Sequence, residues 1–116
     1  MPDGTFRVLL QMRIKPGMSE GFEQEWRDGT EAVTGHPANL GQRLARSTSD
    51  ENDYFIISDW LDEEGFRAFE DSGAHVAHRE RLHAYRASAT FATMRIVAEV
   101  EGAGAAVRQG ASADAG

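Results

Sequence analysis

The sequence predicts an α+β fold in a single domain. Three observations carry that reading. The chain opens on a segment, residues 6–14, in which apolar and polar residues alternate well. Segments of helical and strand period then follow one another along its length. A chain of 116 residues with 41% hydrophobic content can bury one modest core.

Residues 6–14 place Phe6, Val8, Leu10, Met12 and Ile14 on one side and Arg7, Gln11 and Arg13 on the other, with Leu9 the exception. Period two with one polar side describes a half-buried strand, and Lys15-Pro16-Gly17 breaks it. Ser19 is placed to cap the helix that follows. Phe22, Trp26, Thr30 and Val33 recur there at helical spacing, and Gly35-His36-Pro37 ends the run. Residues 40–48 and 53–61 read as the second and third strands. Ser49-Asp50-Glu51-Asn52 between them has turn composition, so the two form a hairpin.

Asp62 is an N-cap for a helix opening on Glu63 and Glu64, acids suited to the positive helix end. Phe66 and Phe69 form its apolar side. Ser72 caps a further helix over 74–86, with His78, Leu82 and Tyr85 on one face. Residues 88–99, with Phe91, Met94, Ile96 and Val97, form the last strand. The domain is thus expected over 5–100. Residues 101–116 are rich in Ala and Gly, with Val107 the one large aliphatic side chain, and are expected to be a flexible tail.

This order, βαββα(α)β, is the ferredoxin-like, split βαβ arrangement. Its helices cover one face of the sheet, so the other face needs cover. Leu9, Phe55, Ile57, Ala92 and Met94 fall on strands with two apolar sides. The simplest cover is a second copy, sheet against sheet, and the chain is therefore expected to form a homodimer with a dimeric α+β barrel.

Charge and composition exclude several functions. Nineteen acids against twelve bases leave a net charge of −7, which argues against nucleic-acid binding, since phosphate neutralisation needs a basic stripe. The absence of cysteine excludes disulfides, thiolate metal sites and cysteine nucleophiles. The opening MPDGTFRVLL lacks the charge and apolar run of a signal peptide, and no stretch of 18 apolar residues spans a membrane. A cytoplasmic location is the expectation, with no membrane partner.

Several residues are candidates for chemistry. Trp60 offers an indole N–H and a stacking surface for a flat ring. His75 and His78, three residues apart, share a helix face, and a near-neutral imidazole is a natural proton acceptor. They lack a convincing third ligand, so no metal is expected. Arg79, Arg81 and Arg86 either pair with the acids of residues 50–71 or form a cationic edge for a phenolate or carboxylate. Gln11, Arg13, Phe66, Arg79 and Tyr85 are read as substrate-binding, with Gln11 and Arg13 pointing either into a pocket or into solvent.

Three stretches carry a family resemblance: FRVLLQMRIKPGMSEGFEQEW, YFIISDWLDEEGFRAF and SGAHVAHRERL. Their content, order and spacing resemble the antibiotic biosynthesis monooxygenase family of small dimeric ferredoxin-like proteins over about residues 5–100. The resemblance implies a cofactor-independent monooxygenase that converts an aromatic, anthrone-like polyketide to a quinone, with molecular oxygen as co-substrate. A non-oxidative cyclase or an accessory module beside a polyketide cyclase partner is one alternative, and a heme-degrading enzyme is another. The polyketide branch implies a tryptophan at the end of the third strand, which is Trp60. Its asparagine and tyrosine fall on Ile56 and Phe66. The heme-degrading branch implies an asparagine on the first strand, where this chain reads Leu10-Gln11-Met12-Arg13. Its helical tryptophan and histidine fall on Phe69 and Arg79, with His78 one residue away.

Overall fold

The register of the first strand organises the sheet. In the computed structural model, which describes residues 4–107, β1 (Phe6–Ile14) lies between β3 (Asp53–Trp60) and β4 (Arg86–Arg95), and β2 (Asn39–Arg46) flanks β3. Every pairing is antiparallel. The helices are α1 (Ser19–Asp28), α2 (Glu31–Thr34), α3 (Glu63–Glu70) and α4 (Gly73–His83). The order β2-β3-β1-β4 is that of the expected ferredoxin-like α+β fold.

The alternation of β1 sorts its side chains as the sequence predicts. Phe6, Val8, Met12 and Ile14 are buried beneath the helices, together with Tyr54, Ile56 and Trp60 of β3. The core falls into two clusters. One gathers Phe6, Val8, Val33, Trp60, Phe66 and Phe69; the other gathers Met12, Ile14, Phe22, Tyr54, Ile56 and Leu82. The Tyr54 hydroxyl donates to Glu23 at 2.5 Å and ties α1 to the sheet. The outer face carries Leu9, Phe55, Ile57, Ala92 and Met94 in register with Arg7, Gln11, Asp53 and Asp59. Arg7 donates twice to Asp59, at 2.7 and 2.9 Å.

Local chemistry explains the helix ends. Gly17, at φ +80°, makes the turn after β1 in a conformation that L side chains rarely adopt. Asp62 accepts from the Gly65 N–H at 2.7 Å and Ser72 from the His75 N–H at 3.2 Å, so both predicted caps are formed. Ser19 is not a cap. It is the first residue of α1, and its hydroxyl donates instead to the Glu51 carbonyl and Asn52 Oδ1, both at 3.3 Å. The single helix expected from Ser19 to Gly35 is broken at Gly29, against which His78 of α4 packs. The helix expected over 74–86 ends at His83, and β4 begins at Arg86 and ends at Arg95, earlier than the 88–99 expected. Of the expected tail, residues 101–107 are almost wholly exposed, with one helical turn at 104–107, and residues 108–116 lie outside the described residues. Among the described residues no helix is long and apolar enough to cross a membrane.

Replacing Asp62 by Ala removes the cap of α3 and is expected to lower stability by about 1 kcal/mol, read as a lower urea midpoint with an unchanged slope.

Candidate active site

The helices do not fill the space they cover. A cavity of about 310 Å³ lies between the inner face of the sheet and the helical layer, within the size range of small-molecule sites. Val8, Leu10 and Met12 of β1 form its floor with Gln42 of β2 and Ile56, Ser58 and Trp60 of β3. Phe66 and Phe69 of α3 and His75, His78, Arg79 and Leu82 of α4 face them. Members of both core clusters line the cavity, which therefore separates them. Phe91 of β4 stands at its rim, 57% exposed.

Trp60 is fully buried. Its ring packs on Phe69, 4.7 Å between centroids, and Phe66, at 5.4 Å. The indole N–H, read from the sequence as a donor for a ligand, donates to the Ser58 hydroxyl at 3.0 Å. It is spoken for because Ser58 shares the inner face of β3 with Trp60, two residues before it. The serine oxygen, having accepted that bond, keeps its own hydrogen for another acceptor. Beyond Trp60 and Phe69 comes His75, whose ring lies 4.5 Å from Phe69. Phe69 thus stands between the tryptophan and the histidine.

His75 and His78 are biased towards the neutral form. Burial lowers the His75 pKa below its ordinary 6.5; Arg79 adds to the effect and Glu70 opposes it. Burial likewise lowers that of His78, helped by Arg81 and His75. His78 is 5% exposed, and its Nδ1 has no hydrogen-bond partner. The Gln42 Nε2 is also buried without a partner. Gln42 and Ser58 face each other across the β2–β3 pair, two polar groups in an apolar floor.

The structure brings five of the eight sequence candidates together at the cavity: Trp60, His75, His78, Phe66 and Arg79. Gln11, Arg13 and Tyr85 lie elsewhere. The odd-numbered residues of β1 point to the outer face, where Gln11 donates to both carboxylate oxygens of Asp53, at 3.0 and 3.1 Å, and Arg13 pairs with Asp50 at 3.0 Å. Tyr85 follows the end of α4 and packs against Phe22, 6.4 Å between centroids. Arg81 pairs with Glu25 of α1 at 3.5 Å, while Arg79 and Arg86 line the cavity and make no ion pair among the described residues. Sequence reading missed Gln42 and Ser58. Their signal was a polar side chain at an inward position of a period-two strand. Among the described residues, no group of three or more His, Cys, Asp or Glu side chains could hold a metal ion.

Comparison with known proteins places this geometry. The sequence profile of the family described as "Antibiotic biosynthesis monooxygenase" matches residues 5–81. A curated relative from Mycobacterium tuberculosis, a heme oxygenase described as mycobilin-producing, is 27% identical over 94 residues, covering 80% of this chain and 90% of its own. Among solved structures, a point mutant of SnoaB, a cofactor-independent oxygenase from Streptomyces nogalater, superposes with a TM-score of 0.77 at 16% identity, over 84% of this chain and 98% of that one. A protein from Nitrosomonas europaea described as "Putative antibiotic biosynthesis monooxygenase" superposes with a TM-score of 0.76 at 12% identity, over 87% and 98%.

The histidine environment sets a pH dependence. Folding lowers both pKa values, so below about 6.5 the unfolded chain binds more protons than the folded one, and stability falls as the pH falls. Above that pH this contribution is fully present. The urea midpoint is expected to drop between pH 7 and about 5.5, and His78→Gln to flatten that drop.

Proposed function

This chain belongs to the antibiotic biosynthesis monooxygenase family, and from that premise we propose that it is a cofactor-independent monooxygenase oxidising an anthrone-like aromatic polyketide to a quinone with molecular oxygen. The observation that carries the proposal is the composition of the cavity. Its walls are largely aromatic and aliphatic, and polar groups reach it from both layers: the two neutral-biased imidazoles with Glu70, Arg79 and His83 from the helices, and Gln42, Ser58, Arg86 and Thr90 from the sheet.

Such a site suits a reaction driven by the substrate's own electrons. A histidine takes a proton from the activated CH₂ of the substrate and leaves an electron-rich anion. That anion passes one electron to O₂, and the two radicals combine into a carbon-bound peroxide. Protonation and loss of water then leave a carbonyl. The balance is R₂CH₂ + O₂ → R₂CO + H₂O: one oxygen atom enters the product, and the other departs as water with the two hydrogens. The protein supplies a dry pocket, a proton acceptor and donors for the oxyanion. Phe66 and Phe69, backed by the fully buried Trp60, form the aromatic end of the cavity against which a flat ring packs.

The curated relative favours a second reading, heme binding. His75 is the half-buried imidazole on the cavity wall that would face an iron. The cavity of about 310 Å³ lies near the lower bound for small-molecule sites, which favours a compact ligand over a porphyrin.

The chain acts as a homodimer in this proposal, its outer sheet face against a second copy. Ile57→Arg, placing a charge among Leu9, Phe55 and Met94, is expected to give monomers in sedimentation where the unaltered chain gives dimers.

Oxygen uptake by the metal-stripped protein given dithranol tests the chemistry. Uptake above the spontaneous rate that persists in chelator, and falls about tenfold or more in Trp60→Phe, is the expected result. Heme mixed with the protein is expected to give no new Soret band. A band without dithranol turnover would transfer the assignment to heme.

A further inference from the structure

His78 occupies a seat that only glycine leaves open. A Cβ built on Gly29 would lie 2.2 Å from the imidazole Nδ1 and 2.3 Å from Cε1, so that edge of the ring rests directly against the glycine's backbone. Gly29 is itself buried, and it stands where the chain leaves α1 and turns into α2. The break in the helix and the seat of the imidazole are one feature. Nδ1 is sealed in that contact with no hydrogen-bond partner, which leaves Nε2 as the nitrogen for the cavity that His78 lines.

Sealing one nitrogen decides what the ring can do. A neutral imidazole carries its hydrogen on one nitrogen and a lone pair on the other. With hydrogen on Nδ1, the seat would hold a buried N–H with no acceptor, an arrangement that is rare and costly. With the lone pair on Nδ1, the ring edge meets only a weakly polar Cα–H, and the hydrogen sits on Nε2. Protonating the ring would restore the orphaned Nδ1–H and add a buried charge, so His78 is ill suited to take a proton. His75 has no such seat; it is half-buried and free to carry hydrogen on either nitrogen.

We propose that Gly29 locks His78 as a neutral imidazole with hydrogen on Nε2, which donates a hydrogen bond to an oxygen of the bound substrate, and that His75 is the proton acceptor. This rests on the oxygenase reading of the cavity and divides the two histidines that the reading leaves equivalent. The charged groups around His78 agree with a neutral ring. Arg81 lies on its own helix and is held by Glu25 of α1, and Arg79 and Glu70 flank His75.

Two measurements on the full chain test the assignment independently. Nitrogen-15 NMR of histidine-labelled protein reports the tautomer without any substrate. The expected His78 pattern is a pyridine-type Nδ1 and a pyrrole-type Nε2 that persist from pH 8 to the onset of acid unfolding; a pyrrole-type Nδ1, or a ring that titrates with His75, overturns the proposal. Turnover with dithranol is the second. His75→Gln is expected to lose about 100-fold or more, as removal of a general base does. His78→Gln, which keeps an N–H donor, is expected to lose markedly less than His78→Leu, for which loss of an oxyanion donor implies about 100-fold. Equal losses in the two His78 variants, or full activity in His75→Gln, overturn it. Absence of turnover in the unaltered chain with the expected NMR pattern would remove the oxygenase reading and leave the locked tautomer standing.

Discussion

The register of β1 is the constraint on which the rest depends. A strand has a side-chain period of two, so a slip of one residue exchanges its faces entirely. In the register observed, Val8 lies opposite Ser58 and Leu10 opposite Ile56, and the inward set becomes the floor of the cavity. The same register sends Arg7 to Asp59 and Gln11 to Asp53 on the outer face. One slipped residue would bring those charged and amide groups under the helices, where an unpaired charge is costly. The apolar cost of that exchange holds β1 in place, and the strands on both sides take their positions from it.

The cavity follows from an incomplete second layer. α3 and α4 cover β3 and β1, but β4 pairs only with β1 and presents Phe91 to the open rim. The aromatic group of Trp60, Phe66 and Phe69 closes one end of the space, and Met12, Ile56 and Leu82 of the other core cluster line it beyond them. Space lined this way leaves contacts unmade. The same lining provides a low-dielectric pocket in which a few polar groups act strongly. Gln42, which lines it, keeps a buried nitrogen without a partner, and His78 keeps one against Gly29. Buried polar atoms of that kind are few in native proteins, and they concentrate where a structure serves something other than its own stability.

Individual residues show where sequence reasoning succeeded. Asp62 and Ser72 were legible as caps because capping is local: a side chain reaches a backbone N–H three residues ahead. Ser19 has the same composition signal and makes a different bond, because the hairpin turn at Glu51 and Asn52 offers acceptors from a distant part of the chain. Gly29 is a local helix-stop signal, but it sits inside a helical period that runs from Phe22 to Val33, and that period carried the reading past it. Its role appears only when α4 packs against it. Trp60 was legible as an aromatic at the end of the third strand, yet its indole donor was not legible as engaged, since strand alternation names the face and not the hydrogen bond.

By itself the sequence determined the α+β order, the alternation of β1 and β3, the two caps and the family, because these depend on local spacing, local chemistry and overall pattern. Tertiary structure alone decided which polar residues meet. It gathered Trp60, Phe66, His75, His78 and Arg79 around one cavity, added Gln42 and Ser58, and left Gln11, Arg13 and Tyr85 outside it. The reason is geometric. A period tells which residues share a face of an element, while convergence on a common space depends on how helices seat on the sheet, and that is settled by side-chain contacts between segments far apart in the chain.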